Sequence, residues 1–191
     1  MDQRVETTIH NLQKHGFTVL YAENLQAAKD LIDDYVTSDA RVGVGGSGTV
    51  QELGIRDLVA EKGAYLLDHN QPDLEAEKVK EIRYEQLSSD VFFTGANAIS
   101  QTGCLVNIDG IGNRVAAGIF GPRQVVVCAG VNKIEDNLQA AMDRAQLVAA
   151  PKNNQRLQTK NPCAVTGECI DCDSPTRICR AYSIIKRPSG L

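Results

Sequence analysis

Uninterrupted apolar segments alternate with helical patterns along most of the chain. The apolar segments lie at 17–21, 41–44, 64–68, 91–94, 104–108 and 124–128. Around them, apolar residues recur every three or four positions at 2–15, 24–35, 49–62, 73–87 and 134–149, as in amphipathic helices. Strands that are apolar throughout are typical of parallel sheets with helices on both faces. The alternation therefore predicts an α/β fold with a mainly parallel sheet.

Asparagine, glycine and proline mark the ends of the predicted helices. Asn24 precedes the second helix, where a capping side chain is expected. Gly63 follows the third, a position that favours glycine, and Pro151 is expected to end the last. We therefore predict an α/β domain over residues 1–150, with a cysteine-rich C-terminal extension, residues 151–191, packed on it.

The composition is that of a globular protein. Of the 191 residues, 42% are hydrophobic and 23% are charged, which argues against disorder. The formal net charge of -4 comes from mixed acidic and basic residues without a basic stripe, so nucleic acid is not an expected partner. The N-terminus lacks the apolar core of a signal peptide, and no apolar run approaches the roughly 20 residues of a membrane span. We expect a cytoplasmic protein that does not contact membranes and whose cysteines are normally reduced.

Four of the six cysteines fall in one short segment near the C-terminus. Cys163, Cys169, Cys172 and Cys179 follow the spacing C-x5-C-x2-C-x6-C. Thiolates at this density in a reducing compartment favour a metal site over disulfides. The close central pair suits both zinc and iron–sulfur sites, but a structural zinc site more often has two close pairs. The spacing therefore favours a [4Fe–4S] cluster, with zinc as the alternative and thiols or disulfides without metal as a third.

A glycine-rich loop follows the predicted strand at 41–44. It consists of Gly45, Gly46, Ser47, Gly48 and Thr49. Ligands of open α/β sheets bind at such carboxyl ends of strands, and glycines let backbone N–H groups approach an anion. The loop lacks the lysine of a Walker motif and the spacing of a dinucleotide fingerprint. It predicts a site for a small anion, with a tight turn between strand and helix as the alternative.

Polar residues near the ends of later predicted strands form a second set of candidates. They are Asn97, Asp109, Asn113, Arg114 and Lys133. The two amides offer donors and acceptors that orient a small hydroxy or keto acid, the two cations suit its charge, and Asp109 is a carboxylate able to move a proton. As alternatives, the asparagines are turn residues, and Asp109 is a turn residue held by local backbone hydrogen bonds. The two cations would then be a helix-flanking lysine and a member of a surface ion pair.

The remaining cysteines and histidines lack the spacing of a metal or catalytic site. Cys104 and Cys128 lie within apolar runs and are predicted to be buried thiols. His10 and His15 belong to the first predicted helix, where we expect them to face solvent.

The order of these motifs resembles the lactate-utilisation, or LUD, domain family. The segments that carry the resemblance are Thr94–Ile99, Gly103–Asn107, Ile108–Arg114, Gly121–Pro122 and Val125–Ile134, with the glycine loop and the cysteine segment. The resemblance implies a component of lactate or similar hydroxy-acid oxidation that binds a small anionic metabolite. It also implies redox protein partners that exchange electrons with the cluster.

The same stretch is more distantly similar to the superfamily of ribose-5-phosphate isomerase, glucosamine-phosphate deaminase and coenzyme A transferases, whose folds often form dimers. Gly95–Ile99 matches a Gly-Ala-Asp-x-Ile pattern of these enzymes, with Asn97 replacing the aspartate. An amide cannot act as a general acid or base, so their carboxylate-based isomerisation is not expected here. Two functions remain as alternatives: a non-redox enzyme of this superfamily, and a metabolite-binding regulatory module, either with a structural zinc site.

Overall fold

A computed structural model describes residues 1–189 of the chain. Its helices are α1 (Gln3–Lys14), α2 (Leu25–Asp33), α3 (Gly48–Glu52), α4 (Ile55–Lys62), α5 (Ala76–Gln86), α6 (Asn113–Ile119), α7 (Leu138–Asp143), α8 (Ala150–Arg156) and α9 (Pro162–Thr166). Its strands are β1 (Arg41–Val44), β2 (Tyr65–Leu67), β3 (Val91–Thr94), β4 (Ala98–Ser100), β5 (Cys104–Asp109), β6 (Gln124–Val127), β7 (Ile134–Glu135) and β8 (Ala181–Ile185). A 3-10 turn spans Val131–Lys133 and a π-helical segment spans Arg144–Ala149.

The chain divides into two compact units. The glycine-loop unit contains Leu20–Gly95 and Ala116–Gly130. The cysteine unit contains Met1–Val19, Ala96–Val115 and the described residues from Val131 onward. Residues 151–189 thus belong to one unit with α1, β4 and β5.

The glycine-loop unit is built on a four-stranded parallel sheet in the order β2-β1-β3-β6. Val42 pairs with Val91, and on one face of the sheet both pack against apolar residues of α2, α3 and α4. On the other face, a Cβ at Gly43 would lie 3.4 Å from Cγ of Gln86 in α5. Side chains of successive residues point to opposite faces, so helices cover both sides of this sheet. The predicted α/β fold with a mainly parallel sheet is confirmed.

The cysteine unit contains a second four-stranded sheet in the order β7-β4-β5-β8. Here β5 pairs antiparallel with β4 and with β8, whereas β4 pairs parallel with β7. Val106 and Ile108 of β5 pack in one apolar cluster with Ala141 of α7 and Ala145 of the π-helical segment. The cysteine segment, residues 163–179, lies in the chain between α8 and β8. β8 is an edge strand of this sheet and pairs with β5.

Several element boundaries agree with the sequence patterns. β1 and β3 span the predicted residues 41–44 and 91–94. The Asn24 side chain accepts a hydrogen bond from Ala27 N at 2.9 Å and caps α2, as predicted. Gly63 follows α4 in the left-handed conformation at φ +69°, which is also the predicted role.

Several local predictions were wrong. Residues 17–21 form no strand: the chain leaves α1 through Gly16 at φ +90°, and Phe17 N–H returns to Leu12 O. The helix predicted at 49–62 is two helices, because Gly54 at φ +70° separates α3 from α4. Pro151 does not end the last helix. It lies in the first turn of α8, where proline is tolerated.

Candidate functional site

The four clustered cysteines lie on one segment of the cysteine unit. Cys163 in α9 and Cys179 just before β8 are buried, whereas Cys169 and Cys172 are half-buried in the loop between them. All four are free thiols. Burial raises the pKa of Cys163, and the charges of the other three cysteines raise it further. All four thiols belong to the cysteine unit.

These thiols do not surround a single ion position. Among residues 1–189, no three His, Cys, Asp or Glu side chains form a group arranged to hold one metal ion. The donor set is nevertheless uniform, four soft sulfur ligands, which suits zinc or an iron–sulfur cluster rather than a hard cation.

A buried network of amides and hydroxyls holds the two ends of the cysteine segment together. Asn161 is 1% exposed, and its Nδ2 donates to Asn154 Oδ1 at 2.7 Å and to Thr176 O at 3.0 Å. Its Oδ1 accepts from Ser174 Oγ at 2.6 Å and from Thr176 Oγ1 at 2.8 Å. Asn154 in turn donates to Ala150 O in α8. The segment is thus fixed near Cys163 and near Cys179 without any contribution from the sulfur atoms.

One arginine contacts the cysteine segment at three points. Arg177 Nε donates to Cys179 Sγ at 3.3 Å, Nη1 donates to Cys172 O at 2.7 Å, and Nη2 donates to Asp171 Oδ1 at 3.0 Å. The hydrogen bond with Cys179 raises the pKa of Arg177, and Asp171 raises it further. A positive charge is thereby held against one of the candidate ligand sulfurs.

Asn97, one of the two asparagines predicted to orient a ligand, belongs to a compact network around Arg114 together with Asn107, which was not predicted. The guanidinium donates to Asn107 Oδ1 at 2.7 Å, to Asn97 Oδ1 at 3.0 Å and to Ile108 O at 2.5 Å. Burial lowers the pKa of Arg114, and the Asp109 charge opposes that change. Since amide and carbonyl oxygens accept these bonds, Arg114 orients the asparagines around it.

Asp109 caps the helix that follows it. Its carboxylate accepts from the backbone N–H groups of Ile111 at 3.2 Å, Arg114 at 2.9 Å and Val115 at 3.2 Å. These bonds are those of the turn residue that the sequence left as the alternative to a proton-transfer role. Asn113 is the first residue of α6, and Lys133 ends the 3-10 turn, half-buried.

The arginine–amide network and the cysteine segment meet along β5 and β8. Asn107 pairs with Ser183, Asp109 pairs with Ala181, and Arg180 N–H donates to Asp109 O at 3.0 Å. Cys179 also packs in the apolar core that includes Val106 of β5. The sheet therefore places two of the predicted candidate groups side by side in one unit.

The glycine loop lies in the other unit, at the carboxyl end of β1. Gly45 N–H donates to Phe93 O at 2.8 Å, and Ser47 N–H donates to Gly45 O at 2.8 Å. Ser47 precedes α3 without a side-chain capping bond. A Cβ at Gly95 would lie 2.5 Å from Ser47 Oγ, so this glycine permits close packing of the loop on the end of β3.

A cavity of about 250 Å³ opens beside the loop, within the same unit. Its lining includes Gly45, Arg56, Asp57, Asp68 and Asn70. Sequence reasoning missed this group, although Asp68 ends an apolar run, as expected of a site at the carboxyl end of a strand. The pairing of Arg56 with Asp68 depends on how α4 packs on β2, which no local pattern reveals.

The comparisons with known proteins agree with the motifs described above. The sequence profile of the LUD domain matches residues 5–190. The chain belongs to the LUD domain family. Nine chains of solved structures match this LUD domain, among them a DUF162 family protein from Deinococcus radiodurans. That protein is 13% identical, the match covers 96% of this chain and 86% of that chain, and the TM-score is 0.50. At this identity the likeness concerns the fold alone. No curated protein matches the LUD domain described here.

The structure also shows where the other predicted residues of the LUD domain lie. Cys104 is buried, as predicted, and Cys128 is only half-buried. His10 is exposed, but the prediction for His15 was wrong: it is half-buried, and its Nδ1 lies 2.8 Å from Gly103 O. No helix among residues 1–189 is both long and apolar enough to cross a membrane.

Proposed function

We propose that this LUD domain is an iron–sulfur component of the oxidation of lactate or a similar hydroxy acid, and that it acts in the cytoplasm. The observation that carries the proposal is the set of four free thiols on one segment whose ends are fixed by buried side chains. Cys163, Cys169, Cys172 and Cys179 would hold the cluster. A bound [4Fe–4S] cluster supplies one-electron transfer, which suits a relay between redox proteins.

The arrangement of the thiols supports a cluster over a single zinc ion. Zinc gathers four ligand atoms around one point, with zinc–sulfur distances of about 2.3 Å. A [4Fe–4S] cluster instead distributes its four thiolates over four irons, so its ligands stand farther apart. Cys169 and Cys172 form one close pair, whereas Cys163 and Cys179 stand farther along the chain, and this uneven spacing matches the wider set better.

The fixed ends of the segment support a preformed site. Zinc modules that lack a core of their own fold only when metal binds. Here Asn161, at the start of α9, forms three hydrogen bonds with residues 174–176 and one with Asn154 of α8, none of which involves sulfur. The cysteines are therefore presented on a framework that does not need the metal in order to form.

The second part of the proposal is binding of a small anionic metabolite. We assign candidate contacts separately within each unit: the glycine loop, Gly45–Thr49, in one, and the set Asn97, Asp109, Asn113, Arg114 and Lys133 in the other. In the second set, Arg114 positions the Asn97 side chain and Asp109 positions the start of α6, as their hydrogen bonds indicate. The proposed partners are this metabolite, a redox protein and, as in related folds, a second copy of the chain.

Metal analysis of protein purified without oxygen tests the proposal. We expect about four irons and four acid-labile sulfides per chain, with an absorption band near roughly 400 nm that dithionite bleaches. Cys172→Ser should lose this band and most of the iron. Cys128→Ser, which removes a cysteine outside the segment, is the matched control and should keep both.

Other results would favour the alternatives. One zinc per chain without colour would make the segment a structural site, consistent with a non-redox enzyme or a regulatory module. A Cys172→Ser variant with full iron and colour would contradict the ligand assignment.

A further inference from the structure

We infer that the cavity of the glycine-loop unit binds a small carboxylate through the guanidinium of Arg56. The inference rests on the anion-binding part of the proposed function and names a contact for that anion. Arg56 belongs to none of the motifs that led to the predicted site.

The cavity has the position and size of a site for a small metabolite. Val44 and Gly45 at the end of β1 and Asp68 just after β2 line it, so it lies at the carboxyl ends of two adjacent parallel strands. Open α/β sheets bind their ligands in this position. Its volume of about 250 Å³ is slightly below that of pockets for drug-sized molecules, and Val50 and Ile55 add apolar wall.

A buried carboxylate orients Arg56. Asp68 is 0% exposed, and its Oδ2 accepts from Arg56 Nε at 2.6 Å and pairs with Nη2 at 2.5 Å. Its Oδ1 accepts from Asn70 N at 2.8 Å and from Asn70 Nδ2 at 3.1 Å. Both oxygens of the carboxylate are thus engaged within the unit, while the Arg56 side chain remains 45% exposed.

This geometry leaves donors for a ligand. A guanidinium has five N–H groups in a rigid planar fork, and Asp68 engages the side formed by Nε and Nη2. The opposite side of the fork can form the paired hydrogen bonds that arginine makes with carboxylates. Because Asp68 fixes the plane of the guanidinium, a ligand loses less freedom in meeting it.

The local charge favours a monoanion over a dianion. Arg56 and Asp68 cancel each other, and Asp57 on the lining adds a negative charge. The cavity therefore offers directed N–H donors without a net positive charge. A carboxylate of charge minus one is compatible with this balance, whereas a phosphate dianion meets additional repulsion from Asp57.

The test is a titration of the uniformly 15N-labelled full chain with acetate, L-lactate and inorganic phosphate, followed by NMR. We expect the carboxylates to shift the Arg56 Nε–H signal and the backbone amides of Gly45 and Asn70, and to bind more tightly than phosphate. Arg56→Gln should weaken carboxylate binding roughly tenfold or more, as expected for loss of a charge-assisted hydrogen bond. Arg123→Gln removes an arginine of the same unit that is 86% exposed, and should leave binding unchanged.

A second variant tests the charge argument without disturbing the buried pair. Asp57 is exposed, and Asp57→Asn should improve phosphate binding relative to acetate because one negative charge leaves the lining. The inference is overturned if Arg56→Gln binds carboxylates as the wild type does, if phosphate binds the wild type more tightly than acetate or lactate, or if Asp57→Asn leaves their ratio unchanged.

The titration separates this inference from the proposed function. Anion binding that maps to the glycine loop or to the Arg114 network, and is indifferent to Arg56→Gln, would overturn the inference alone. Absence of any binding would overturn it together with the metabolite part of the proposed function. Iron content measured on the same preparations tests the cluster independently of both.

Discussion

The two units of the chain differ in what surrounds their candidate site residues. In the cysteine unit, Asn161 and Arg114 bond to neighbouring amides, hydroxyls and carbonyls, and these bonds hold the segment and the strand ends in place. In the glycine-loop unit, Gly43 and Gly95 allow backbone and side chains to approach closely, and polar groups such as Arg56 line a cavity.

The difference suits the two units to different ligands. A cluster needs ligands fixed in one geometry, which a network of satisfied side chains provides. A metabolite that enters and leaves needs space and a few oriented donors. The cysteine unit should therefore be sensitive to the loss of hydrogen-bonding groups, and the glycine-loop unit to the addition of volume.

The largest effect should follow Asn161→Ala. The substitution removes four hydrogen bonds of a side chain that is 1% exposed, so we expect the free energy of unfolding of the metal-free protein to fall by about 3 kcal/mol. Denaturant unfolding measures the loss, and iron incorporation should decrease with it. Asn153→Ala is the control, because the Asn153 side chain accepts solvent-exposed hydrogen bonds from Arg156, and it should change stability by less than about 0.5 kcal/mol. Equal losses of stability in Asn161→Ala and Asn153→Ala would contradict a specific role of the buried network.

Gly95→Ala should be the most damaging small substitution in the glycine-loop unit. The added Cβ would lie 2.5 Å from Ser47 Oγ and 3.1 Å from Ser47 Cβ, so the loop must shift. We expect a loss of about 1–3 kcal/mol, measured by thermal unfolding. Gly48→Ala is the matched control, since no atom lies within 4 Å of its Cβ, and it should be neutral or slightly stabilising. Ser47→Gly should recover part of the loss in the Gly95→Ala background. No recovery would mean that the contact with Ser47 is not the cause.

The parts of the fold that could be predicted are those set by local patterns. β1 and β3 are short apolar runs, and Asn24 and Gly63 end helices through their own conformational preferences. β8 could not be predicted, because Ala181–Ile185 is a strand only through pairing with β5, more than 70 positions earlier. The helix end predicted at Pro151 was wrong, because the helix continues from the π-helical segment into α8.

The candidate site likewise has parts that local patterns predict and parts that depend on tertiary packing. Cysteine spacing identified the thiols of the cysteine segment, and strand ends identified Asn97 and Asp109. The groups that were missed include Asn107, the buried Asn154–Asn161 pair and the pair of Asp68 with Arg56. Each depends on side chains brought together by tertiary packing, and a single sequence carries no periodic signal for such pairs.

Arg114→Lys should have a smaller effect than either of the first two changes. Lysine keeps the charge but cannot reach Asn97 and Asn107 with a planar fork, so we expect a loss of about 1–2 kcal/mol. Amide hydrogen exchange should locate the loss at the ends of β4 and β5 and leave β1 and β3 protected. Arg123→Lys, at an exposed position of the glycine-loop unit, should change nothing measurable. Exchange that increases across β1 and β3 as well would contradict a network confined to the cysteine unit.

The smallest effect on stability, and the most specific effect on function, should follow Arg177→Gln. The substitution removes a charged donor from Cys179 Sγ while the Asn161 network continues to hold the segment. Hydrogen bonds and positive charge near the sulfurs favour the reduced cluster, which carries more negative charge, so the reduction potential should become more negative. A redox titration of the iron-loaded protein measures this shift. Arg187→Gln, an exposed substitution beyond β8, should leave the potential unchanged. If Arg177→Gln keeps both its iron and the wild-type potential, the guanidinium positions the loop backbone through Cys172 O and does not tune the cluster.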